Sequence, residues 1–123
     1  MSPLISLVIA ILLPLLAGLQ PVARTADQET VTVKMTAKRY EFSPAIVTVT
    51  KGQHVKLEVT ALDTTHGFAI KDYNVDTELK KGVPTTIEFD ADKEGTFGFK
   101  CSHFCGLSHS KMKGELVVKA NAE

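Results

Sequence analysis

From Val31 onward, apolar and polar positions alternate: Val31, Val33, Met35 and Ala37 fall on one side, and Thr32, Lys34 and Thr36 on the other. Because successive strand side chains point to opposite faces, this period of two predicts a half-buried strand, with Met35 in its buried row. The period returns in Val47 and Val49, in Val55, Leu57, Val59 and Ala61, and in Phe68 and Ile70. It continues in Thr85, Ile87 and Phe89, in Phe97, Phe99 and Cys101, and in Leu116 and Val118. β-Branched residues, which suit a pleated surface, are frequent throughout. Lys51-Gly52, Lys81-Gly82 and Glu94-Gly95 separate the runs, and Pro44 and Pro84 stand at strand beginnings, where a missing N–H does least harm. His54 opens a run after a Lys-Gly turn and is expected to face solvent. No window of twelve or more residues after residue 30 has helical period. Seven or eight short strands at this spacing predict an all-β fold, a Greek-key antiparallel β-sandwich.

The beginning of the chain has another pattern. Leu4 to Leu19 is apolar except for Ser6, only Pro14 interrupts it as a helix, and no charged side chain precedes Arg24. An N-terminal hydrophobic helix follows, so residues 1–23 are expected to be a signal peptide or single membrane anchor, 24–29 a linker, and 30–123 the folded domain. The run is close to the roughly 17 residues that a spanning helix needs. Cleavage after Ala23 or Ala26 would leave Pro21 or Arg24 where a small residue is wanted, which favours a retained anchor. Both readings place the domain outside the cytoplasm, in the periplasm or on the outer face of the cytoplasmic membrane.

Composition narrows the function. The chain has 123 residues, 44% of them apolar, with 14 Lys and Arg balancing 14 Asp and Glu. That length suits one domain, the apolar content excludes wholesale disorder, and the zero balance provides no field for nucleic-acid binding. Chemistry is concentrated in residues 100–112, KCSHFCGLSHSKM, which hold both cysteines of the protein. Cys101, Cys105, His109 and Met112 follow one another at intervals of four, four and three. Two thiolates, an imidazole and a thioether form a soft donor set that selects copper, whereas oxygen-loving ions need carboxylates that this segment lacks. His66 joins the candidates, because loops at one end of a sandwich cluster. Two alternatives stand beside copper. A disulfide between the cysteines is the default in an oxidising compartment but gives no reason for His109 and Met112. A zinc site of Cys101, Cys105, His109 and His66 leaves Met112 unexplained.

The segment resembles the cupredoxins, in particular the binuclear CuA domain of cytochrome c oxidase subunit II and nitrous oxide reductase. The motif C-S-x-x-C-G-x-x-H-x-x-M is met by Cys101, Ser102, Cys105, Gly106, His109 and Met112, with His66 as the upstream histidine. The resemblance implies that Cys101 and Cys105 bridge two copper ions, with His66 and His109 capping one each. Met112 would be a weak axial ligand on one copper, and the main-chain carbonyl of His103 would serve the other. A single blue-type copper held by Cys105, His109, His66 and Met112 is the nearest alternative, although it leaves Cys101 as an oxidisable idle thiol. The implied function is one-electron transfer without substrate chemistry, by a stand-alone carrier or an electron-entry module; extracytoplasmic copper delivery is the second reading. Implied partners are a redox protein, such as a c-type cytochrome or terminal oxidase, and the membrane through the N-terminal segment. Phe104 and Leu107 are expected to form an apolar shell around the sulfurs, and Lys100, His103, Lys111 and Lys113 to make this end basic. Three features depart from oxidase subunit II: His103 stands where an acidic residue is usual, Trp is absent, and at most one membrane helix is available.

Overall fold

The computed structural model describes residues 28–121; the expected N-terminal helix, with its anchor or signal role, lies outside the described residues. Within them, nine strands form: β1 (Thr30–Lys38), β2 (Glu41–Ser43), β3 (Ile46–Thr50), β4 (His54–Ala61), β5 (His66–Ile70), β6 (Val75–Leu79), β7 (Thr85–Asp90), β8 (Gly95–Lys100) and β9 (Lys113–Lys119). Helical geometry among the described residues is confined to two 3₁₀ turns, Lys71–Tyr73 and His109–Lys111. No helix there is long and apolar enough to cross a membrane.

The strands make two sheets, in the orders β2-β1-β4-β7 and β3-β9-β8-β5-β6. The all-β sandwich is as expected, but the purely antiparallel arrangement is not. β1 runs parallel to β4 along eight paired residues, from Thr30–His54 to Ala37–Ala61, and β3 runs parallel to β9. The chain leaves the first sheet after β2, forms β3 in the second sheet, and returns as β4 on the free side of β1, in the same direction. Alternation reports which face is buried and carries no information about the direction of a neighbour. Two strands had no sequence signal: β2 has one apolar residue, Phe42, and β6 is an edge strand with Asp76 and Glu78 turned outward. His66 begins β5 rather than preceding it, and Cys101 lies just past β8 rather than on it.

The inner rows of both sheets merge in one core. Met35 is 2% exposed, as its phase required, and Val55, Leu57, Val59, Phe68, Ile70, Leu79 and Leu116 are equally shielded. Phe42, Phe68 and Phe99 pack as a triad with centroids 4.9 to 5.5 Å apart. Edge-on contacts of this kind add to the large apolar area that each ring buries. Phe68 is two residues after His66, and Phe99 two before Cys101. Strand alternation therefore places the triad directly beneath both.

His54 faces solvent from β4 as expected, and there it pairs with two acids. Its ring lies 2.8 Å from Asp90 and 2.7 Å from Glu88 on the neighbouring β7. Hydrogen bonds to Glu88 and then Asp90 raise its pKa above the ordinary 6.5, while the same bonds lower both carboxyls from 4.5 and 3.8. The raised histidine contributes fully below 6.5 and fades as pH rises through its folded value; the lowered carboxylates contribute above their ordinary values and fade as pH falls. His54→Gln should therefore lower the melting temperature most between about pH 4.5 and 6.5, by a small amount because all three groups are solvent-screened. A difference that stayed flat from pH 4 to 9 would contradict this assignment.

Candidate metal centre

Three strand ends converge at one rim of the sandwich. β8 ends at Lys100 and β9 begins at Lys113, directly paired, so residues 101–112 form a loop between adjacent strands. The Cys101 amide donates to the Met112 carbonyl at 3.0 Å and closes the base of that loop. The 3₁₀ turn His109–Lys111 then brings His109 back over Cys105. β5 starts at the same rim and supplies His66, which is fully buried.

The side chains meet as a compact set. The Cys101 and Cys105 sulfurs are 3.4 Å apart, both as free thiols, 2% and 4% exposed. His66 Nδ1 is 3.9 Å from the Cys101 sulfur, and His109 Nδ1 is 3.7 Å from the Cys105 sulfur. The Met112 sulfur lies 3.7 Å from Cys105, and the His103 carbonyl oxygen 3.0 Å from Cys101. The donor atoms of His66, Cys101 and Cys105 all fall within 4.8 Å of one another. All six sequence-predicted groups are thus brought together: His66, Cys101, the His103 main chain, Cys105, His109 and Met112. The His103 side chain is exposed.

One further carboxylate organises the site. Asp63 Oδ1 lies 2.7 Å from His66 Nε2 and accepts its N–H, which turns Nδ1 towards Cys101. Asp63 Oδ2 accepts the Arg39 amide at 2.9 Å. Partial burial pushes the Asp63 carboxyl up, but the Arg39 amide and His66 ring together hold it below the usual value. Burial, with the Cys101 thiol beside it, pushes the Cys105 thiol up to about 11. In the metal-free protein that thiol is therefore protonated at neutral pH, and a cation must displace its proton to bind. The donors are soft, buried and free of carboxylate, so they fit copper.

Sequence reasoning missed Asp63 and Arg39. The three-residue offset of Asp63 from His66 is a faint signal, and Arg39 has none. It also misplaced the apolar shell. Phe104 is 75% and Leu107 96% exposed, because the loop turns outward on either side of Cys105. The shell consists instead of Phe68, Phe99 and Met112 beneath the sulfurs. Phe104 does lie against the His109 ring, with centroids 5.8 Å apart. An open cleft of about 500 Å³ runs alongside, lined by Lys71, Asn74, Asp76, Lys100, Cys101 and His109.

Residues 7–118 match the cupredoxin-like domain. The chain belongs to that family. Among relatives, this cupredoxin-like chain is 39% identical over 94 residues to nitrous-oxide reductase of Cupriavidus necator, covering 73% of the chain and 15% of that protein. It is 29% identical over 100 residues to cytochrome c oxidase subunit 2 of Thermus thermophilus, covering 81% of the chain and 73% of that protein. The cupredoxin-like chain therefore spans about 15% of the reductase but most of the oxidase subunit. The periplasmic domain of subunit II of cytochrome oxidase from Bradyrhizobium japonicum superposes with a TM-score of 0.67 at 22% identity, over 73% of this chain and 84% of that domain. That likeness is one of fold.

Gly67, between His66 and Phe68, abuts the loop of residues 101–112. A Cβ there would collide with the Ser102 hydroxyl and stand 2.6 to 2.8 Å from His103 atoms, main chain included. Gly67→Ala should displace residues 102–103 and destabilise the metal-free protein by about 1–3 kcal/mol, as overpacking does. Urea titration measures this, and an unchanged midpoint would show that the loop gives way without cost.

Proposed function

We infer that this cupredoxin-like chain is an extracytoplasmic one-electron transfer protein whose Cys101, Cys105, His66, His109, Met112 and His103 carbonyl hold a binuclear copper centre. One observation carries the reading: two buried sulfurs lie 3.4 Å apart, and each has an imidazole nitrogen of its own within 4 Å. A single blue-type copper would use one thiol and leave its neighbour reactive and without a role. Support also comes from the two kinds of relative, an oxidase subunit 2 and a nitrous-oxide reductase.

Bound copper would supply the one-electron couple between its cuprous and cupric states. The chain does the rest. Asp63 orients His66, the loop closure at Cys101 and Met112 fixes the thiols, and the phenylalanine triad keeps water from their inner side. Donors held this firmly change little between oxidation states, which keeps transfer fast. His109 is half-buried at the rim, with exposed Phe104 and Leu107 beside it and exposed Lys100, His103, Lys111 and Lys113 around the loop. An apolar patch with a basic border suits a redox partner with an acidic docking surface, such as a terminal oxidase or a c-type cytochrome. The relatives also favour the outer side of the membrane, and we assign residues 1–23 as the anchor.

Purified protein should take up two copper ions per chain and show paramagnetic resonance hyperfine structure from two equivalent nuclei. Cys101→Ser should abolish that pattern and leave at most a one-copper spectrum built on Cys105. A one-copper spectrum from the parent would establish the blue-copper alternative, and rapid surrender of copper to an apo-partner would establish delivery. For docking, Lys111→Glu with Lys113→Glu should flatten or invert the fall of electron-transfer rate with ionic strength. An unaltered salt slope would remove the acidic partner surface from the account.

A further inference from the structure

The turn between β1 and β2 contributes no ligand, yet it touches both halves of the metal centre. Arg39 is 24 residues from Asp63 and 66 from Cys105 along the chain. Its main-chain amide donates to Asp63 Oδ2 at 2.9 Å, and its side-chain Nε donates to the Cys105 carbonyl at 2.7 Å. The other oxygen of the same carboxylate holds His66. Next to Arg39, the Tyr40 ring presses on Gly106, whose φ of +143° only glycine adopts easily, and a Cβ there would strike the tyrosine hydroxyl. The turn therefore braces the loop just after Cys105 at two successive residues.

We propose that Arg39 is the positioning residue that locks the His66 side of the centre to the Cys105 side. The proposal rests on reading the site as a copper centre. A histidine on β5 and a cysteine on the β8–β9 loop belong to segments joined by the single strand pairing Ala69–Lys100. Such sparse pairing leaves their separation poorly fixed by the sheet itself. Arg39 links the two, because its amide binds the carboxylate that holds His66 while its guanidinium binds the carbonyl of Cys105. The bond to the Cys105 carbonyl is charge-assisted, hence stronger than a neutral one.

Two variants in the full chain, Arg39→Gln and Arg39→Lys, separate geometry from charge. In metal-free protein, Arg39→Gln should raise amide hydrogen exchange in residues 101–112 at least tenfold while β4 and β7 stay protected. In copper-loaded protein, release to a competing chelator should accelerate by about tenfold or more, the usual consequence of losing a group that orients a ligand. Arg39→Gln should also lower the reduction potential, since a nearby cation is gone. Arg39→Lys should restore the potential but not the slow release, because lysine keeps the charge without the forked donor geometry. Unchanged exchange and unchanged release in Arg39→Gln would overturn the proposal. If that variant does not fold, the same readings on Arg39→Lys decide. A parent chain that takes up no copper would refute the copper reading, and hydrogen exchange in metal-free protein would still judge the clamp.

Discussion

Two sulfur atoms 3.4 Å apart, both nearly sealed from water, impose a condition that the rest of the molecule has to meet. As thiols they are neutral and tolerable in the interior. As thiolates they would repel each other and resist desolvation, which is why Cys105 holds its proton up to about pH 11 without a cation. Packing and hydrogen bonds from the surrounding chain hold the pair in place. The base of the loop is pinned by the Cys101–Met112 bond, where two paired strands part. The inner wall is the phenylalanine triad, and Phe→Ala at such a position typically costs about 3–5 kcal/mol.

Outside that wall the chain fits closely because side chains are missing where they would interfere. Gly67 lets the loop rest on β5, Gly106 accepts the Tyr40 ring, and Gly114 lies against Phe99 and the Ala45 carbonyl. Each is a place where backbone approaches backbone or ring, so tolerance for even one added carbon is small. The polar side of the site is equally specified. Asp63 uses one oxygen for the His66 ring and the other for the Arg39 amide, so a single carboxylate joins His66 to a turn in the opposite sheet. Rigidity stops at the outer edge, where Phe104 and Leu107 stand exposed beside His109 and leave a surface for another protein.

How much of this was legible follows from what a linear pattern encodes. The runs at Val31, Val55 and Ile87 became β1, β4 and β7, since an alternating row buried on one face leaves a period of two whatever its neighbours are. β2 and β6 were silent. Three residues around Phe42 are too few to display a period, and an edge strand with two outward acids resembles a polar connection. Phe104 and Leu107 misled because apolar character was taken for burial, although exposed apolar residues are common at surfaces that bind partners.

The sequence by itself determined which residues could bind a soft metal. The intervals between Cys101, Cys105, His109 and Met112 lie within one loop, and local geometry limits how far apart such neighbours can be. It also determined the buried face of most strands, since that face is encoded residue by residue. Only the tertiary structure decided that β1 and β4 run parallel, that Asp63 orients the His66 ring, and that Arg39 reaches the Cys105 carbonyl across 66 residues. These are contacts between distant segments, and their partners are selected by the way two sheets close on a shared core, which no local period records.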